Sequence, residues 1–209
     1  MEGTMLLQRV RECIQNHKDR RSFMGIVLRY YPPDDGRFKK IEHAYHIAKE
    51  SFRQVKREDG DRYFEHLRCV ALILMVHLRV RDTDVIVAAL LHDLVEDIES
   101  WSYDRVRDLF GPRVAMLIWY VSKPKVAEFN DNKRERDRRY HENFLHAPRD
   151  AIIIKLADRL HNLLTLWEIN PEKRARKIQE TQDFYLALAE RECILIHEIE
   201  DALRELQTT

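Results

Sequence analysis

The chain is 209 residues long, a length that one hydrophobic core still serves, so one domain is expected rather than two. Five Gly and six Pro leave few turn signals, and 44% hydrophobic with 34% charged residues suits long amphipathic helices better than a many-stranded sheet. Lys+Arg and Asp+Glu are both 36, so no global positive field would gather nucleic acid by counterion release, and nucleic acid is not an expected partner.

Leu6, Leu7, Val10, Cys13 and Ile14 fall near helical spacing and predict a helix over 6–20. The run Tyr30-Tyr31-Pro32-Pro33-Asp34-Asp35-Gly36 then breaks the chain, so 1–36 reads as an N-terminal helical extension packed on a body spanning 37–209. Ile41, Ala44, Tyr45, Ala48 and Phe52 share one face of a helix over 41–54, before a polar loop, 56–61, that ends just ahead of Tyr63-Phe64-Glu65-His66. A buried helix follows over 66–78, and after a cap from Asp82 or Thr83 another over 85–97. Short helices over 103–110 and 114–121 flank Gly111-Pro112, and 130–143 is mostly basic. A strongly apolar helix over 150–167 and a long amphipathic one from Pro171 to about 207 complete the chain. The fold class expected is all-α.

Cys13, Cys69 and Cys193 are odd in number and outside any C-x-x-C pattern, which argues against disulfides or a zinc ribbon and for buried free thiols. The N-terminus lacks a sustained apolar stretch, and no run of about 18 apolar residues occurs, so no membrane contact and a cytoplasmic location are expected.

Ala88-Ala89-Leu90-Leu91-His92-Asp93-Leu94-Val95-Glu96-Asp97-Ile98 places an imidazole and three carboxylates inside an apolar helix. Burying like charges together is costly unless a cation or hydrogen bonds compensate. On a continuous helix His92 and Glu96 share one row and Asp93 and Asp97 the next, pointing to one cleft. Asp158 raises the same problem within Ile152-Ile153-Ile154-Lys155-Leu156-Ala157-Asp158, with Asn162 one turn on. His66 adds a second imidazole, and two His with two Asp make a mixed N/O set suited to Mn, Fe, Co or Zn, with water available as the nucleophile. Singly, a His at a helix start or a buried Asp is more often structural. Only the combination is specific. His43, His46, His77, His141, His146, His161 and His197 have no such constellation and are expected to be structural or exposed. The interleaved charges of Lys133 to Arg139 read as a solvated helix face rather than a phosphate-binding lid.

The pattern His66, His92-Asp93, Asp158 resembles the H…HD…D signature of the HD-domain superfamily of metal-dependent phosphohydrolases, which implies an all-α helical bundle. AALLHDLVED, IIIKLADRLHNLLTL and PEKRARKIQETQDFYLALAER, across roughly residues 40–195, look most like the hydrolase domain of RelA/SpoT homologues, which cleave the 3′-pyrophosphate from the stringent-response alarmone (p)ppGpp. With no residues left for a synthetase, a small alarmone hydrolase is expected. The resemblance implies that His66, His92, Asp93 and Asp158 bind a divalent metal, usually manganese, that Glu96 and Asp97 manage the attacking water and its protons, and that Arg57, Asn162 and Thr165 contact the nucleotide. The expected partner is a small nucleotide, (p)ppGpp or (p)ppApp, and self-association is left open. A nucleotidase acting on another nucleotide such as NADPH, or a non-catalytic nucleotide-sensing scaffold, are the alternatives. The chain departs from the family at Arg57-Glu58, where the family has two bases, at Gly60-Asp61-Arg62-Tyr63 in place of Gly-x-Pro-Tyr, and at Leu67 in place of Pro. Glu58 is therefore expected to disfavour an extra 5′-phosphate, to accept a hydrogen bond from the base, or to point into solvent where screening makes it silent.

Overall fold

The computed structural model describes residues 2–58, 60–168 and 170–208; Met1 and Thr209, at the ends of the two expected segments, lie outside it, as do Ile169 and, in the expected loop 56–61, Asp59. Among the described residues the backbone is helical apart from loops and one isolated bridge between Lys56 and Arg62, so the chain is all-α. The elements are α1 (Glu2–Asn16), α2 (Arg20–Val27), α3 (Gly36–Ser51), α4 (Tyr63–Leu72), α5 (Thr83–Leu91), α6 (Leu94–Asp97) and α7 (Tyr103–Phe110). They continue with α8 (Pro112–Val121), α9 (Lys133–Phe144), α10 (Arg149–Leu164), α11 (Pro171–Glu180), α12 (Leu186–Glu192) and α13 (Ile196–Thr208). Capping sets several starts: Asp19 accepts the Ser22 N–H at 2.7 Å, Asp35 that of Arg37 at 2.7 Å, and Asp82 those of Asp84 and Val85 at 2.9 and 3.2 Å.

The axle is α10. From Ala151 to His161 every residue is buried, because α4, α5, α8 and α13 surround it. A helix enclosed on all sides must satisfy its polar groups inside the protein, which is why Lys155, Asp158, Arg159 and His161 all become informative. One contiguous apolar cluster runs from Leu7 on α1 to Leu206 on α13, and these two helices pack together with Arg11 paired to Glu205.

Three expectations need correction. The helix expected over 85–97 is broken: α5 stops at Leu91, and α6 starts at Leu94 after Asp93 takes φ −94° and ψ 0°. The His92 ring engages the Ala89 carbonyl at 2.8 Å, adding a side-chain partner to the ladder at this point. The helix expected from Pro171 to about 207 first widens into a π turn at Thr181–Tyr185, then stops where Cys193 and Leu195 take φ of 55° and 57°. Cys13 and Cys69 are buried free thiols as expected, but Cys193 is exposed at that stop.

Candidate metal centre and its cleft

His66 lies in the first turn of α4, 2% exposed, with its Nδ1 2.9 Å from Nδ1 of His161 on α10. Burial lowers the pKa of both rings, and that of His161 falls well below the usual range, so one neutral ring donates to the other. A proton on His66 Nδ1 leaves its Nε2 lone pair 3.2 Å from Asp158 Oδ1 and 3.7 Å from Asp93 Oδ2.

His92 is fully buried at the break between α5 and α6. A carbonyl oxygen only accepts, so Nδ1 must donate to Ala89 and the neutral ring presents a bare Nε2. That atom lies 3.2 Å from Asp93 Oδ2 and 3.8 Å from Asp158 Oδ1, yet is aligned as a hydrogen bond with neither. Two imidazole lone pairs and two carboxylates thus face one point, an arrangement that repels itself unless a positive charge sits there. The candidate ligand atoms of His66, His92 and Asp158 all lie within 4.8 Å of one another. Asp93 borders them and accepts the Tyr63 hydroxyl at 2.9 Å. The donor set and the orphaned Nε2 fit a divalent cation. Without one, burial opposes charging His92, but the Asp93 and Asp158 carboxylates outweigh it and push the ring up to about 10.

Asp158 is held on its outer side. Lys155 Nζ lies 2.9 Å from Oδ2, and the Asn162 amide donates to Oδ1 at 2.5 Å. Burial works against both charges, but each stabilises the other, so Asp158 falls well below and Lys155 rises well above the usual range. Glu96 accepts the Lys123 main-chain N–H at 2.9 Å, and its pKa is raised by burial and by Asp93. Asp97 is pushed up to about 6, again by burial first and Asp93 second.

A cleft of about 690 Å³ opens above these groups, a size that suits a nucleotide. Arg57, Asn162 and Thr165 meet at its edge, with Arg57 Nη2 donating to Asn162 Oδ1 and Thr165 Oγ1, both at 3.0 Å. Glu58 also lines it, but its carboxylate is paired with Lys173 of α11, so its charge does not face the cleft alone.

Several residues stand here that the sequence did not place in a site, and two of them, His141 and His161, were expected to be structural or exposed. Tyr63 and His161 orient Asp93 and His66, and Lys155 neutralises Asp158. For His161 the signal was its place three residues after Asp158, on the same helix face. The basic segment is divided: Arg134, Arg138 and Arg139 are exposed, as a solvated face requires, whereas Lys133, Arg136 and His141 line the cleft.

The family profile described as the HD domain matches residues 44–195. The bifunctional (p)ppGpp synthase/hydrolase SpoT of Escherichia coli K12 is 36% identical over 182 residues, covering 86% of this chain and 25% of that protein. The guanosine-3′,5′-bis(diphosphate) 3′-pyrophosphohydrolase of Aquifex aeolicus is 37% identical over 165 residues, 79% of this chain and 23% of that protein. The chain therefore spans about a quarter of these curated relatives. A solved structure of a metazoan SpoT orthologue, described as hydrolysing ppGpp, superposes with a TM-score of 0.72 at 30% identity, covering 84% of this chain and 97% of that one. With the profile spanning most of its length and a relative of matching extent sharing its helices, the chain belongs to the HD-domain family, in its RelA/SpoT-homologue hydrolase branch.

Proposed function

We propose that this protein hydrolyses the 3′-pyrophosphate of a guanosine or adenosine alarmone, releasing pyrophosphate, with a divalent cation held by His66, His92, Asp93 and Asp158. The observation that carries the reading is the convergence of two imidazole Nε2 atoms and two carboxylates at the floor of a cleft whose walls are cationic. Manganese suits this mixed N/O set, and a cytoplasmic location belongs to the same reading.

When bound, the cation supplies Lewis-acid polarisation of a phosphoryl oxygen and makes water nucleophilic near neutral pH. Glu96 and Asp97 stand beside the ligand set, and their raised pKa values suit them to take a proton from the attacking water and return one to the departing 3′-oxygen. The bond formed is water oxygen to phosphorus, and the bond broken is phosphorus to the ribose 3′-oxygen, which leaves as a hydroxyl. Arg57, anchored through Nη2 by Asn162 and Thr165, suits stacking of its guanidinium on a base, and the remaining Asn162 capacity suits the ribose. Lys123, Lys133 and Arg136, which also line the cleft, suit the other phosphates. Residues 1–36 complete this body as an extension packed on it.

The test is product analysis. Protein reconstituted with Mn²⁺ and incubated with ppGpp, ppApp and NADPH should release intact pyrophosphate from an alarmone. Orthophosphate from NADPH alone would move the assignment to a nucleotidase, and no product from any of the three would leave a nucleotide-sensing scaffold.

A further inference from the structure

Glu180, the last residue of α11, is an acid in the middle of the cationic wall. Its Oε1 lies 2.8 Å from Lys123 Nζ and 3.3 Å from His141 Nε2, and its Oε2 accepts from Arg159 Nη2 at 2.9 Å. These partners come from the segment after α8, from α9 and from α10, so a single carboxylate ties together three parts of the chain that reach the cleft. Arg159 is itself 3% exposed and lies over the Tyr185 ring at 4.0 Å, and His141 stacks on Phe184 at 4.0 Å. Phe184 and Tyr185 belong to the π turn that begins right after Glu180, so the wider turn sets both the carboxylate and the aromatic backing of its partners. Burial opposes the Glu180 charge, yet the His141 contact and then the Arg159 and Lys123 charges hold it far below the usual carboxylate range.

Lys123 extends the link. While its Nζ is on Glu180, its main-chain N–H donates to Glu96 at 2.9 Å. We propose that Glu180 is the positioning residue of this cleft: without touching substrate, it fixes the cations Lys123 and Arg159 and the His141 ring as one rigid wall and, through the Lys123 main chain, aims Glu96. The role rests on the hydrolase reading for Glu96, but the wall itself is tested without turnover.

Simple charge and positioning predict opposite signs. An acid lining an anion site repels anions, so if Glu180 contributed charge alone, Glu180→Gln would tighten anion binding. If it positions these three groups, the same change loosens each against its remaining partner, Asp137 for Lys123, Tyr185 for Arg159 and Phe184 for His141, and binding weakens by about tenfold, as expected when charge-assisted hydrogen bonds are lost. The probe is inorganic pyrophosphate, titrated by calorimetry into the metal-loaded protein, with metal content and Tm measured in parallel. Weaker pyrophosphate binding with metal retained supports the proposal; equal or tighter binding overturns it. Should Glu180→Gln fail to fold, Glu180→Asp keeps the charge and withdraws it by one methylene. Positioning then predicts weakened binding, and wild-type affinity overturns it. On an active enzyme, Glu180→Gln should lower kcat as well as raise KM, because Glu96 is loosened. An inactive wild type would count against the hydrolase reading alone, leaving the pyrophosphate result to decide on Glu180.

Discussion

At the residue scale, the His92 ring carries the sharpest consequence. Its Nε2 has no hydrogen-bond partner, and in the metal-free protein Asp93 and Asp158, outweighing burial, hold its pKa at about 10 against an ordinary value of 6.5. A proton therefore occupies the place of a cation, and metal binding at pH 7 to 9 must expel it. Calorimetry in buffers of different ionisation enthalpy should show about one proton released per metal, and His92→Ala should bind little metal and release none. The same shift sets a stability trend. With the folded pKa above the unfolded one, the His92 contribution is fully present below about pH 6.5 and is lost as pH rises toward 10, so the metal-free Tm should fall across that window. A flat Tm across it, with no proton released, would show that His92 is not protonated by these carboxylates.

Glu58 belongs to the same scale. Because it is paired with Lys173, and both are partly exposed, replacing it by Lys does two things at once: it frees Lys173 and adds a charge at the cleft edge. Exposed pairs are worth about 0 to 1 kcal/mol, so the expected change is a several-fold rise in kcat/KM for a penta- over a tetraphosphorylated alarmone. The charge swap Glu58→Lys with Lys173→Glu should restore the original ratio. Unchanged ratios in both variants would show that this pair does not select substrate.

At the scale of elements, two helix interruptions shape the body around the cleft. The break at His92-Asp93 lets α5 end in the core while α6 brings Glu96 to the cleft, with Asp97 beside it outside the lining. The stop at Cys193 folds α13 back onto α10 and α1. Cys193 holds φ 55° and ψ 46° with an exposed side chain, a conformation that disfavours residues with a Cβ by about 1 kcal/mol. Cys193→Gly should therefore raise Tm by about 2–4 °C in this size class without altering turnover. A lowered Tm would mean that the Cys193 Sγ contact with the Glu190 carbonyl, 3.6 Å away, outweighs the backbone relief.

At the scale of the whole molecule, α1 lies against α13 while the cleft is built from α4, α6, α9, α10 and α11. If 1–36 is an integral part of one cooperative body, Leu7→Ala, which empties a fully buried position, should cost about 2–5 kcal/mol in urea denaturation and shift one single transition. Two separated transitions would instead make the extension a unit of its own. No helix among the described residues is long and apolar enough to cross a membrane.

The sequence by itself determined the helical class and singled out the buried residues whose mutual repulsion a cation would relieve. Buried imidazoles and carboxylates in apolar helices are costly wherever they stand, so His92, Asp93 and Asp158 were conspicuous before any fold was known. Caps such as Asp82 were legible for a similar reason, since they act within three residues. Only the tertiary structure decided what depends on distant segments meeting. It interrupted the 85–97 helix, set Tyr63 on Asp93, joined His161 to His66 across 95 positions, and gave Glu58 a partner 115 residues away. A side chain's periodicity records which face it takes, whereas its role as ligand, orienting partner or neutralising charge is fixed by what the opposite helix presents, and that information is not local.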